Sequence, residues 1–369
     1  MRILHLANGR LYGGVERMLT TLAESRGLLR SVTFEFAVCH EGRLARELRG
    51  LGADVHALGN VRISRPVTLW RARRRLRALL ASGRYSTVVC HAPWAHALFG
   101  STITRAGMTL VLWQHDRADG RPLLERAARR IPAALVICNS HWTATSADSL
   151  QPGVPRRVVY CPVGAPRLRS GRASVRAALG AFDGDVVILA ASRLEPWKGH
   201  LQLIDALARV PDRRWLLWIA GAPQRPHESH YLGEVKSAVS TCGIADRVRF
   251  LGERDDVPDL LAAADMLAQA NVEPEPFGIV LAEALRSGVP VVTTRLGGAT
   301  EIVAESCGRL VPPQDPEALS AALAELIADD ALRAMLGAAG PPHALATCDP
   351  TIVLPALEEA LAAAGARAA

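Results

Sequence analysis

The chain has 369 residues, 49% hydrophobic and 21% charged, the make-up of a folded globular protein. That length exceeds the roughly 250–300 residues at which a single core stops growing, so two domains are expected. No apolar run reaches the roughly 18 residues of a membrane span, and Met1 leads into RILHLAN without the charged-then-apolar start of a secretory signal, so a cytosolic location is expected.

In chain order, RILHLA reads as a buried strand. A Gly13-Gly14 loop and a helix with Val15, Met18, Leu19, Leu22 and Ala23 on one face come next. TFEFAVC, STVVCHA, TLVLWQHD and AALVICNS follow as further strands between helical stretches. The boundary falls near CPVGAPRLRSG, where Pro162, Gly164, Pro166 and Gly171 break the periodicity. Beyond it the plan repeats with DVVILAASRL, RWLLWIAG, DRVRFLGE, ADMLAQA, VPVVTTRL and GRLVPP. A Pro-Gly-rich break at 337–342 then precedes a closing helix, PTIVLPALEEALAAAGA. Strands alternating with helices imply parallel sheets, hence an α/β fold of two Rossmann-like domains. The expected division is residues 1–167 plus 345–369, the last helix crossing back, and residues 168–344.

In such sheets ligands sit outside the carboxyl ends of the strands, so the residues just after each strand carry the chemistry. After VVILAAS, the turn RLEPWKGH places Arg193 and Lys198 five residues apart. A guanidinium and an ammonium there suit a diphosphate, where a solvated loop would need neither. Of 43 basic residues only Lys198 and Lys236 are lysine, which singles Lys198 out. After ADMLAQA, the segment NVEPEPFG leads to Gly278, which opens a helix whose free N–H groups and dipole favour an anion or hydroxyl beside Glu275. Glu283 lies about 7.5 Å farther along that helix, so the two carboxylates reach different parts of one elongated ligand. Glu273 reads as a solvated neighbour, and Glu301 as either a loop cap or a ligand contact.

These segments resemble the retaining nucleotide-sugar glycosyltransferases of family 4, which have the GT-B fold of two facing Rossmann-like domains. The resemblance rests on the E-x7-E spacing of Glu275 and Glu283, on EPFG at 275–278, and on SRLEPWKG at 192–199. It extends to RVRFLGERDDVPDLLAAADM at 247–266, GVPVVTTRLGGATEIV at 288–303 and the Gly13-Gly14 loop. The resemblance implies that Glu275 holds donor-sugar hydroxyls together with backbone N–H groups of Phe277, Gly278 and Ile279. Glu283 would accept from the ribose, and Arg193 and Lys198 would bind the diphosphate and stabilise the leaving group. Gly13 and Gly14 would let a loop approach the donor. His115, after TLVLWQ, matches a position near the reacting centre, although a strand-end histidine satisfied by Asp116 reads equally well from the residues alone. Val163 stands where the family's turn has asparagine, which leaves that residue's contacts without a counterpart.

The implied reaction is attack by an acceptor hydroxyl on the face the diphosphate leaves, a donor phosphate oxygen taking the proton, with no protein base assigned. Domain closure would exclude water. The acceptor is a glycan, a lipid-linked glycan or a natural product, and neither cofactor nor metal is expected beyond a UDP- or GDP-linked sugar. Asp183-Gly-Asp185 has the spacing of a metal-binding D-x-D but reads as a turn before a strand. A glycoside hydrolase would need its carboxylates flanking one bond, which this pair fits poorly. A nucleotide-sugar epimerase and a degenerate nucleotide-sugar-binding subunit are the alternatives. Seven scattered cysteines without C-x-x-C indicate reduced thiols.

Charge divides between the halves. Residues 1–170 carry 26 basic and 10 acidic side chains, and residues 171–369 carry 17 and 26. Within the first, residues 68–82 place Leu69, Ala72, Leu76, Leu79 and Leu80 on one helical face with five arginines elsewhere. Such a helix suits an anionic membrane surface or acceptor, or a packed position with a solvated arginine face. An aromatic platform for nucleic acid is not interleaved with these arginines, so no nucleic-acid partner is expected.

Overall fold

The computed structural model describes residues 1–368 and divides into two compact units. The first comprises Met1–Pro162 and the chain from Cys348 onward; the second is Val163–Thr347. Each is a parallel sheet wound with helices.

In the first unit seven strands stand in the order β3-β2-β1-β4-β5-β6-β7: β1 (Arg2–Ala7), β2 (Thr33–Val38), β3 (Val55–Ala57), β4 (Thr87–His91), β5 (Thr109–Gln114), β6 (Leu135–Cys138) and β7 (Arg156–Val158). The inner five are nearly all buried, which is why their sequences read as continuous apolar runs. β3 and β7 are additions to the sequence reading. Each has three residues at a sheet edge, too short and too exposed to carry an apolar run.

In the second unit six strands stand in the order β10-β9-β8-β11-β12-β13: β8 (Val186–Ala191), β9 (Trp215–Ala220), β10 (Val248–Gly252), β11 (Met266–Gln269), β12 (Val291–Thr294) and β13 (Gly308–Val311). Its core gathers Ile188, Trp215, Leu217, Ile219, Met266 and Leu323, all buried. The strand order reverses direction between β1 and β4 in one sheet and between β8 and β11 in the other, which marks the two crevices where ligands of such sheets bind.

One expectation is corrected, and one pair of alternatives is decided. The Gly-Pro stretch at 337–342 does not break the chain, for a helix runs through it from Asp330 to Cys348 with Pro341 and Pro342 inside. Its glycines serve close packing instead. A Cβ at Gly337 would stand 2.5 Å from the Gly288 carbonyl oxygen, and one at Gly340 2.7 Å from that of Leu285. The apolar face of the helix Pro66–Leu80 is likewise committed: Ala72, Leu76 and Leu80 are buried in the first unit's core, with Leu69 and Leu79 packed against it. That face is therefore closed to a membrane.

The last helix, Pro350–Ala368, belongs to the first unit. Val353, Leu354, Leu357 and Leu361 are buried, and Glu358 accepts from the Ser31 backbone N–H at 2.5 Å and the Ser31 hydroxyl at 2.6 Å. No helix among the described residues is long and apolar enough to cross a membrane.

Candidate active site

At the β8/β11 crevice the turn after β8 carries Arg193, Trp197 and Lys198 and ends at Gly199. Gly199 has a φ of +72°, and a Cβ there would lie 1.7 Å from the Ala270 carbonyl oxygen, so only glycine lets this turn press against the end of β11. The Val272 N–H donates to the Trp197 carbonyl at 2.9 Å and fastens the two segments. As a result Lys198 and Glu275, 77 residues apart, meet: Lys198 Nζ stands 2.6 Å from Glu275 Oε2, with the lysine side chain 12% and the glutamate side chain 9% exposed.

The same oxygen accepts from Gln269 Nε2 and Asn271 Nδ2, each at 2.9 Å. Burial pushes the Glu275 carboxyl up, but the Lys198 charge and the hydrogen bonds from Lys198, Asn271 and Gln269 outweigh it, and the group lies below the usual carboxylate range. Glu275 is therefore a fixed anion at neutral pH. Its Oε1 takes no protein hydrogen bond among the described residues and is the oxygen left to accept from something else.

The backbone of Glu275 is held as firmly as its side chain. The Gly298 N–H donates to its carbonyl at 2.6 Å, and Glu275 bridges to Gly297, where a Cβ would stand 2.4 Å from that carbonyl oxygen. Gly278, at φ +91°, turns the chain into the helix Ile279–Arg286. Leu281 and Ala282 donate to the Gly278 carbonyl at 3.0 and 3.2 Å, so in the first turn it is the N–H groups of Ile279 and Val280 that lack helical acceptors. The Phe277 side chain is buried. Glu283 lies on that helix, partly exposed, and Glu273 is exposed.

Arg193 ion-pairs with Glu195 at 2.8 Å, and Glu195 also accepts from Trp197 Nε1 at 2.8 Å and lies 3.6 Å from Arg225. Among the described residues Glu195, His227 and Glu228 form one group with metal-ligand potential. Two arginines on Glu195 disfavour a cation there, and the group reads as an ion-pair cluster. Asp183 and Asp185 sit in the turn before β8, at the opposite end of the strand from Arg193, and Asp185 accepts from the Phe182 N–H at 2.8 Å.

In the first unit Gly13 caps the helix Gly14–Glu24, and its N–H donates to Glu16 at 3.0 Å. Its φ of −163° is extended backbone open to any residue, so no left-handed turn calls for glycine here. His115, just past β5, is 8% exposed and does not lean on Asp116. Its Nε2 stands 2.9 Å from His91 Nδ1, and Asn139 Nδ2 donates to its carbonyl at 3.2 Å. Gln269, Asn271, Glu195 and His91 were not singled out by sequence. Each lies at or just past a strand end, the position that selected their neighbours.

Comparison with known proteins agrees with this arrangement. Residues 172–342 match glycosyl transferases group 1, and residues 12–167 match Glycosyltransferase Family 4. A GDP-mannose-dependent alpha-(1-6)-phosphatidylinositol monomannoside mannosyltransferase of Mycolicibacterium smegmatis is 32% identical over 72% of this chain and 73% of its own. A D-inositol 3-phosphate glycosyltransferase of Xylanimonas cellulosilytica is 35% identical over 51% of this chain, the match spanning only 44% of that protein. The crystal structure of Anabaena HepE in complex with UDP and glucose superposes with a TM-score of 0.86 at 27% identity, over 98% of this chain and 99% of that one. The chain has the GT-B fold and belongs to glycosyltransferase family 4.

Proposed function

We propose that the protein is a retaining, metal-independent glycosyltransferase that moves a sugar from a nucleoside-diphosphate sugar to a hydroxyl of an anionic polyol-phosphate acceptor, free or lipid-linked. The Lys198–Glu275 pair carries this reading: a lysine and an ionised glutamate held at the strand-order reversal of the second unit, the carboxylate with one oxygen still open. The diphosphate draws on Lys198 and Arg193, whose positive charge stabilises the charge that develops on the leaving nucleotide. Oε1 of Glu275 accepts from a sugar hydroxyl beside the N–H groups of Phe277, Gly278 and Ile279. Glu283 accepts from the ribose, while Gly13 and Gly14 leave room for close approach of the backbone.

For the acceptor the support is charge. The first half is strongly basic, and the matched relatives act, by their names, on inositol phosphate and phosphatidylinositol mannoside. The helix Pro66–Leu80 also leaves Val67 and Trp70 58% and 60% exposed, with Ile63 exposed just before it and Arg62, Arg65, Arg71 and Arg74 exposed around them. Arg74 lies over the Trp70 ring at 5.9 Å. An apolar patch ringed by arginines suits the surface of an anionic bilayer.

The test is transfer from UDP- and GDP-sugars to inositol phosphate and to phosphatidylinositol vesicles in the presence of chelator, with the product anomer read by proton NMR. Product with the donor's anomeric configuration is expected. An inverted product, an absolute metal requirement, or free epimerised sugar in place of a conjugate would overturn the reading.

A further inference from the structure

Three histidines form a row across the first sheet. His5 lies within β1, His91 ends β4 and His115 follows β5, and these strands are neighbours. In the register His5 pairs with Val89 and His91 with Trp113, so each histidine stands two residues beyond the partner of the one before. An offset of two keeps all three side chains on one face of the sheet. The rings stack at centroid separations of 5.2 Å, and both ring-to-ring nitrogen contacts are 2.9 Å: His5 Nδ1 to His91 Nε2, and His91 Nδ1 to His115 Nε2. Exposure rises along the row from 0% through 4% to 8%.

Burial keeps the rings neutral. It pushes His5 and His115 down to about 3 and His91 well below the usual value, the neighbouring imidazoles adding to the effect on His91 and His115. Three neutral imidazoles own three N–H protons, and two fill the two contacts between rings. The third has only two places. If it sits on His5 Nε2, a buried atom without a partner, the row ends in an orphaned N–H donor deep in the sheet. If it sits on His115 Nδ1, which has no protein partner among the described residues, His5 Nε2 is left as an unpaired acceptor. Buried orphan donors are the rarer and costlier of the two.

We infer that His5 and His91 are positioning residues that lock His115 as the Nδ1–H tautomer, so that His115 offers the substrate a hydrogen-bond donor and not a general base. The donor proton runs from His5 to His91 to His115, each ring fixing the next. The partner of His115 is then an oxygen lone pair of the substrate, a sugar hydroxyl or phosphate oxygen, which rests on the glycosyl-transfer reading given above. It also explains in chemical terms why the acceptor's proton must leave by another route.

Long-range proton–nitrogen NMR on the full chain with nitrogen-labelled histidine reads the tautomer directly, without ligand. His115→Asn identifies the His115 signals. The expected spectrum has the proton on Nδ1 of His115 and a bare Nε2. His91→Phe keeps the stacked ring but removes both nitrogens, and should give mixed tautomers with kcat/KM lowered about ten- to a hundredfold. His91→Asn restores a donor near the Nδ1 position and should recover both. An Nε2–H tautomer in the wild type, or an unchanged Nδ1–H population in His91→Phe, overturns the inference. Should His91→Phe fail to fold, the wild-type spectrum and His91→Asn still decide. A locked tautomer in a protein that transfers no sugar would sink the glycosyl-transfer reading and leave the lock standing.

Discussion

The two units share one construction and differ in what they place at its functional edge. Each is a parallel sheet whose strand order reverses once, and each gathers polar side chains at the carboxyl ends of the strands beside that reversal. In the first unit those groups are neutral imidazoles, kept neutral by burial and joined in a row. In the second they are a lysine and a carboxylate kept charged by each other. A buried neutral donor gives orientation at little electrostatic expense, whereas buried opposite charges raise the field where a diphosphate would leave. The same backbone plan thus supports two kinds of chemistry, decided by which side chains stand past the strand ends.

The largest effect is expected from Gly199→Ala, which sets a methyl group against the Ala270 carbonyl at a positive φ and should cost about 4 kcal/mol or more in denaturant unfolding. Gly27→Ala in the first unit, where nothing lies within 4 Å of the added carbon, should stay within about 0.5 kcal/mol. Equal effects would mean that the turn carrying Lys198 is not clasped as described.

Acid destabilises both units but in different windows of pH. His5, His91 and His115 are neutral when folded and titrate near 6.5 when unfolded, so below about pH 6.5 the unfolded chain binds more protons and the first unit loses about 1.4 kcal/mol per pH unit for each ring. Glu275, lowered, stabilises the second unit above its unfolded value of about 4.3 and loses that contribution only as pH falls through its folded value. His200, lowered to about 4, is a single histidine acting in the second unit over the earlier window. Hydrogen exchange between pH 7 and 5 should therefore weaken protection in β1, β4 and β5 before β8 and β11. Loss in the reverse order would contradict the neutral row.

A smaller effect is expected at the surface. Arg74→Gln should weaken binding to anionic vesicles by about 1 kcal/mol, roughly fivefold, in a flotation assay at low salt. Arg73 is unsuited to that test, because its Nε donates to the Leu98 carbonyl at 2.7 Å and anchors the helix. Unchanged binding by Arg74→Gln would remove the membrane from the proposal.

Much of this was legible in the sequence for stated reasons. Buried parallel strands announce themselves as apolar runs, and the strand-end rule points to Arg193, Lys198 and Glu275, whereas His115 is singled out through the family resemblance. What escaped depends on contact across long separations. That Lys198 pairs with Glu275, or that His5 and His91 continue the His115 row, follows only from register and from a turn that Gly199 permits. The stretch at 337–342 misled because glycine signals both a break and a close approach, and here the Leu285–Gly288 backbone lies against it.

The most direct test of the donor site is calorimetric titration of the full chain with UDP- and GDP-sugars, wild type beside Lys198→Ala. The account predicts that one nucleotide series binds the wild type and that Lys198→Ala weakens it at least tenfold, about 1.4 kcal/mol. Binding of neither series, or equal binding by both proteins, would contradict it.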